Sequence, residues 1–234
     1  MSVRAVAVVI PAHNEEALLP AALDGVALAA RHPDLAGVRV LTVVVADSCR
    51  DRTADVAGRA GALVVAADCR NPGRARAAGT ERALRELGAG GTWIAATDAD
   101  SVVPPSWLAY HRARAREGWE AVVGTVTLPA TTPVPLGARH RAHYEATRPA
   151  DGAFWHHPHI HGANLGLTGD AYRAAGGFPP LGVGEDRALV DALERLGHRV
   201  LRTPDCPVVT SDRLRARARG GFADHLAALT EPPA

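Results

Sequence analysis

The sequence predicts an α/β fold, with a mostly parallel central sheet flanked by helices. Three observations carry that expectation. Uninterrupted β-branched runs alternate with stretches of helical periodicity through the first half of the chain, the pattern of parallel strands covered on both faces. Polar clusters follow the ends of those runs, where sheets of this kind bind ligands. The chain has 234 residues, 47% of them hydrophobic and 22% charged, enough to bury a continuous core.

In chain order, residues 3–10 make the first strand, and residues 15–31 carry apolar positions at helical spacing. A strand over 38–45 precedes a helix over 53–60, and a strand over 62–66 precedes a helix over 74–87. A fourth strand over 92–97 ends at Asp98. The second half is less regular. A helix over 105–118, strands over 120–128 and 163–168, helices over 170–175 and 185–196, and a strand over 199–203 are expected. Residues 129–161 hold several Pro, Gly and His and show no clear period. A stretch of that kind is expected to be a functional loop or lid. No repeat or linker divides the chain, so 1–234 reads as a single domain.

Charge excludes several functions. Arg and Lys total 26 against 25 Asp and Glu, a formal net charge of +1, so no global basic field exists to hold nucleic acid. All 26 cations are Arg, which excludes a Schiff-base or phosphate-loop lysine. Cys49, Cys69 and Cys206 have no metal-ligand spacing, and an odd number of scattered thiols fits a reducing cytoplasm. The first apolar run stops at Pro11, too short for a signal peptide. No apolar stretch approaches the roughly 18 residues that span a bilayer. A cytoplasmic protein is expected, with membrane contact peripheral if present.

Four polar clusters stand where strands should end or helices begin. They are Pro11-Ala12-His13-Asn14-Glu15-Glu16, the run from Asp47 to Thr53, Asp98-Ala99-Asp100, and Gly184-Glu185-Asp186. Asp51 and Thr53 sit where helix caps sit. Asp98 and Asp100 repel each other unless a cation or donors lie between them. Oxygen-only ligation suits Mg²⁺ or Mn²⁺ together with phosphate oxygens, and an exposed acidic turn is the alternative.

The segments VVIPAHNEEALLPAAL, VVVADSCRDRTADVA, NPGRARAAG, IAATDADS and GEDRALVDAL, in that order, resemble a family 2 glycosyltransferase of the GT-A fold, from about residue 6 to 203. That resemblance implies a nucleotide-binding half over 1–100, and an acceptor-binding half with a C-terminal tail over 101–234. It implies that Pro11, Ala12, His13 and Glu15 line a nucleotide pocket, and that Asp47 contacts the base or ribose. Arg74 and Arg76 would face a diphosphate at a helix start, or else lie on a solvated helix face. Asp98 would hold ribose and metal, with Asp100 the more direct metal ligand. Asp186 would be the general base of an inverting transfer, and Glu185 would orient the acceptor or serve as a first-turn acid. His161, Gly162 and Asn164 would form the acceptor side, where small residues let backbone approach a sugar.

The departures bear on the nucleotide. Ala46-Asp47 stands where paired acids are usual, and Cys49 where Ser is common. Six of the 11 His fall between His140 and His161, in position for metal or phosphate contacts, or bonded locally. His225 matches a late metal-binding histidine by position only. Arg213, Arg215, Arg217 and Arg219 form an alternating basic stretch, suited to a diphosphate, an anionic acceptor, a membrane surface or plain solvation.

The expected activity is transfer of a sugar from a nucleotide diphosphate sugar, UDP- or GDP-linked, to an unknown hydroxyl acceptor with Mn²⁺ or Mg²⁺. The alternatives are a nucleotide-sugar binder without turnover and a nucleotidyltransferase. The latter usually carries a Gly-rich, Lys-containing turn, where this chain has Pro11 to Asn14.

Overall fold

A computed structural model describes residues 2–215 and 220–230. Strand β1 (Ala5–Ala12) is buried along almost its whole length. It lies parallel to β2 (Arg39–Asp47) on one side and β4 (Thr92–Ala96) on the other, and β2 pairs in parallel with β3 (Leu63–Ala67). Helices α1 (Leu19–Ala30), α2 (Thr53–Arg59) and α3 (Pro72–Leu87) connect these strands. The sheet continues from β4 through antiparallel pairings to β7 (Leu165–Thr168) and then β6 (Ala121–Thr127). Strand β8 (Val200–Thr210) runs parallel to β6, and β5 (Ser101–Val102) pairs antiparallel with β8. The order is β3-β2-β1-β4-β7-β6-β8-β5, a mostly parallel sheet with antiparallel pairings in its second half.

Alternation along β1 distributes the core to both faces. Val8 and Ile10 join Leu19, Leu23, Val26, Trp93 and Trp107 on one side. Val9 joins Ile94, Leu165, Leu167, Leu189 and Leu193 on the other. Helix α3 comes close because Gly79 faces the sheet: a Cβ there would lie 2.7 Å from both Val9 Cγ1 and Val45 Cγ2. Helices α4 (Trp107–Arg116), α6 (Gly169–Ala174) and α7 (Glu185–Arg195) complete the layers. No helix among the described residues is long and apolar enough to cross a membrane.

Five elements depart from expectation. Residues 134–145 form a helix, α5 (Val134–Glu145), inside the stretch expected to be a loop. Its buried positions are Leu136, His140 and Tyr144, an i, i+4, i+8 stripe in which two of three residues are polar by type. Helix α1 starts at Leu19 instead of residue 15. The N–H groups of Glu15 and Glu16 are taken by Thr53 Oγ1 (2.9 Å) and Asp51 Oδ2 (3.0 Å), outside any helix. Strand β8 extends to Thr210 through Pro204 and Pro207, and the two-residue β5 has no signal of its own. A last helix, α8 (Phe222–Thr230), packs on α5.

His111 on α4 lies in this core, its ring 5.7 Å from Trp93 and 5.1 Å from Trp107. Neither ring nitrogen meets a partner among the described residues, and burial drives its pKa down to about 3. Between that value and the ordinary 6.5 the unfolded chain binds the extra proton, so stability falls as pH falls through this window. We expect His111→Phe to flatten the acid limb by up to about 1.4 kcal/mol per pH unit between about pH 4 and 6. Denaturant melts across that range check this, and identical limbs for both proteins would refute it.

Candidate active site

The carboxyl ends of β1, β2 and β4 and the N-termini of α3 and α7 surround a cavity of about 1410 Å³. That exceeds the usual span for a single small ligand, about 300–1,000 Å³. Asn14, Ser48 and Arg70 line it, each in a turn just beyond a strand end, and each has positive φ (54°, 54° and 45°). Non-glycine residues hold that conformation only where the surroundings dictate it.

Asp47 supplies much of that dictation. Its Oδ1 accepts from the N–H groups of Cys69 (2.6 Å) and Arg70 (3.0 Å), and its Oδ2 from Asn71 N–H (3.1 Å). Burial would raise its pKa, but these donors and the Ser48 hydroxyl outweigh burial and hold it below the usual carboxylate value. His13 Nδ1 lies 2.7 Å from the Asp47 carbonyl oxygen. Asp51 and Thr53 behave as local caps: Thr53 N–H donates to Asp51 Oδ1 at 3.0 Å. Asn71 caps α3 by accepting from Arg74 N–H at 2.9 Å. The Arg74 side chain is exposed and stands outside the cavity lining.

The floor of the cavity is ionic. Arg76, 5% exposed, donates through Nη2 to Asp98 and through Nη1 to Glu185. This joins the end of β4 to the start of α7 through a guanidinium whose planar fork suits two carboxylates. Gly162 leaves the space that the guanidinium fills, since a Cβ there would lie 2.7 Å from Arg76 Cζ. Asp98 lines the cavity and keeps a third of its side chain exposed. Burial pushes its pKa up to about 6, Arg76 pulls it back, and Asp100 adds to the rise. Asp100 is paired to Arg213 at 2.7 Å, and Arg213 also donates to Glu15 at 2.6 Å. Glu185 therefore faces Arg76, while its neighbour Asp186 accepts from Gly162 N–H and Arg187 N–H, each at 2.7 Å.

A second wall is aromatic. Tyr144 of α5 stacks on His159 with ring centroids 3.9 Å apart, and its hydroxyl is hydrogen-bonded to His161 Nε2 at 2.5 Å. His159 and His161 stack in turn, nearly parallel at 7°. Phe222 and His225 of α8 close this wall, with His225 4.6 Å from His143. Burial, aided by the neighbouring histidines, lowers His161 to about 3 and His159 to about 4, so both rings are neutral near pH 7. Asn164 does not line the cavity. Its side chain is consumed by Trp107 Nε1, Thr125 O and Cys206 O. Arg217 and Arg219 lie outside the described residues.

No three His, Cys, Asp or Glu side chains converge on a metal position among the described residues. The donor set still fits a hard divalent ion of the Mn²⁺ or Mg²⁺ kind. Asp98 and Asp100 both line the cavity, each already meets a guanidinium cation, and such ions commonly take one or two carboxylates and complete their shell with phosphate and water. Sequence reading missed Tyr144 as a cavity residue, and for Arg213, which also lines the cavity, it offered a diphosphate among several roles without the acids that it meets.

A sequence profile described as glycosyl transferase family 2 matches residues 7–174. The chain belongs to that family. No curated protein matches the sequence significantly. Among solved structures, the mannosyltransferase PcManGT from Pyrobaculum calidifontis, in complex with GDP-Man and Mn²⁺, is 26% identical with a TM-score of 0.64. The alignment covers 92% of this chain and 58% of that one. TarS 1–349 of S. aureus, in complex with UDP-GlcNAc, is 15% identical (TM-score 0.65), with 95% and 62% covered. The glucosyl-3-phosphoglycerate synthase of Mycobacterium tuberculosis, with Mn²⁺, UDP and glucosyl-3-phosphoglycerate, is 21% identical (TM-score 0.57), with 97% and 76% covered. These last two share the GT-A fold. The chain spans less than two thirds of the length of PcManGT and of TarS 1–349.

Breaking the Arg76 bridge has a defined cost. Arg76→Met strands the buried Glu185 and the half-buried Asp98 and is expected to lower stability by about 3 kcal/mol. Adding Glu185→Met should restore part of that loss, because the second charge no longer needs a partner. Chemical denaturation of wild type, both single variants and the double variant checks this. A double variant that loses the sum of the single losses would show the two residues to be uncoupled.

Proposed function

We propose that this chain is a metal-dependent glycosyltransferase that moves a sugar from a nucleoside diphosphate sugar to a hydroxyl acceptor with inversion. One observation carries the reading. Of the acids at the cavity floor, Asp98, Asp100 and Glu185 are each paired to an arginine, whereas Asp186 enters no salt bridge among the described residues. It accepts two backbone N–H bonds, which fix its orientation and leave lone pairs for a proton.

In this reading Pro11, Ala12, His13 and Glu15 border the nucleotide, and Asp47 holds the turn over 69–71 against which the base lies. Asp98 and Asp100 are the residues that would hold Mn²⁺ or Mg²⁺, which supplies neutralisation of the departing diphosphate. Asp186 takes the proton of the acceptor hydroxyl while that oxygen bonds the anomeric carbon. The bond from that carbon to the diphosphate breaks on the opposite face, and the nucleoside diphosphate leaves with the electron pair. His161, neutral, and the Gly162 backbone border the acceptor. The cavity volume supports two ligands at once. The GDP-Man and Mn²⁺ bound to PcManGT support a GDP-sugar donor, and a UDP-sugar remains the alternative. Free thiols at Cys49, Cys69 and Cys206 support a cytoplasmic location.

A nucleotide-sugar binder without turnover is the second reading, favoured by the engagement of both Asp186 oxygens. Thermal unfolding with GDP or UDP, with and without Mn²⁺, followed by donor turnover, separates the two. A ligand at about 100 times its Kd adds about 2.7 kcal/mol, a rise of roughly 5–10 °C for a chain of this size. We expect that rise for one nucleotide with metal. In Asp186→Asn, turnover should fall by about 10²–10⁴-fold with the nucleotide shift retained. Turnover unchanged in that variant would remove Asp186 as base, and a bound donor with no turnover in wild type would leave a binder.

A further inference from the structure

Arg213 occupies an unusual place for a residue of the chain's last segment. Its guanidinium sits between Glu15, after β1, and Asp100, after β4, at 2.6 and 2.7 Å. The placement is built by the sheet. Asp100 leads directly into β5, and Ser101 of β5 pairs with Thr210 of β8, their hydroxyls 2.8 Å apart. Arg213 follows Thr210 by three residues, so the shortest pairing in the sheet brings it beside Asp100. Both carboxylates are shielded, with side chains 6% and 10% exposed, while Arg213 keeps 29%. The cation is therefore the solvent-facing member of the group, on the side that lines the cavity.

The same ion pairs set Arg213 in competition with a metal ion. Glu15, Asp98, Asp100 and Glu185 meet two guanidiniums, those of Arg76 and Arg213. Asp98 and Asp100 are the carboxylates that would take a divalent cation, and both line the cavity. Yet the oxygen of Asp100 that faces Arg213 cannot serve a metal ion while Arg213 holds it. A diphosphate resolves the conflict, because it offers Arg213 new anionic oxygens in the geometry a guanidinium prefers.

We propose that Arg213 is a resident counter-cation, which holds Asp100 in the free protein and passes to the donor's diphosphate when donor and divalent ion bind together. The inference rests on the reading of the cavity as a nucleoside diphosphate sugar site. Metal and nucleotide then bind with strong mutual coupling, reciprocal by linkage. Metal alone must displace a bound guanidinium and binds poorly.

The test is titration of the full chain with Mn²⁺, free ion being read by electron paramagnetic resonance, in the absence and presence of GDP or UDP. In wild type we expect weak binding of Mn²⁺ alone and much tighter binding with one nucleotide. Arg213→Gln removes the competitor, so Mn²⁺ alone should bind about tenfold tighter and the gain conferred by nucleotide should shrink. Arg213→Lys keeps a cation at the end of a flexible chain and should restore weak binding of Mn²⁺ alone. If Arg213→Gln, folded as judged by its thermal melt, binds Mn²⁺ alone no tighter than wild type, the inference is overturned. It is overturned equally if Arg213→Lys resembles Arg213→Gln. Coupled binding in wild type with unaltered variants removes this inference alone, whereas no nucleotide binding in wild type, with or without Mn²⁺, removes the donor-site reading and this inference with it.

Discussion

A buried guanidinium organises the site. Arg76 is out of water on α3, and an unpaired charge there would cost a large part of the stability of an ordinary domain. Its two carboxylate partners come from chain segments far apart in sequence, Asp98 after β4 and Glu185 at the head of α7. Satisfying Arg76 therefore ties the head of α7 to the end of β4. Gly162 belongs to the same constraint, because only a residue without a side chain lets the backbone pass over the guanidinium. Gly162 N–H in turn fixes Asp186. One ion-paired side chain thus determines where the acid without a salt bridge stands.

The cavity is divided electrically. One side carries paired acids and arginines, with pKa values displaced by burial and by each other. The other side is a stack of Tyr144, His159 and His161 whose imidazoles burial keeps neutral. A highly charged group such as a diphosphate finds complementary cations on the first side, where Arg76 and Arg213 lie. An uncharged hydroxyl compound with apolar faces finds flat aromatic rings on the second. The proposed division into donor and acceptor sides follows from this contrast and needs no separate domain for each.

Much of the first half of the chain was legible in the sequence, because buried parallel strands read as unbroken β-branched runs and polar residues mark their ends. The second half was less so. Helix α5 carries Pro135, Gly137 and a buried stripe of Leu136, His140 and Tyr144, so its inward face does not look apolar. Strand β8 tolerates Pro204 and Pro207 where it passes a register shift beside β6, and prolines in sequence argue against a strand. The first-turn acids of α7 were recognisable as a pair, but not that Glu185 turns to Arg76 while Asp186 turns to Gly162. The first of those contacts spans more than a hundred positions in sequence, a separation that local pattern does not encode. Arg213 is the same case in stronger form: the alternating basic stretch left a diphosphate, an anionic acceptor, a membrane surface and solvation open, and only the β5–β8 pairing shows what it meets.

Arg76 acts as a strut between Asp98 and Glu185, and the proposed chemistry places the diphosphate beside it. The most direct measurement is a crystal structure of the protein with Mn²⁺ and the nucleoside diphosphate that stabilises it. We expect Arg76 still joined to Asp98 and Glu185, diphosphate and metal beside Asp98 and Asp100, and Asp186 in place on Gly162. A structure in which Arg76 has left both carboxylates, or in which the nucleotide lies away from Asp98 and Asp100, would contradict this arrangement.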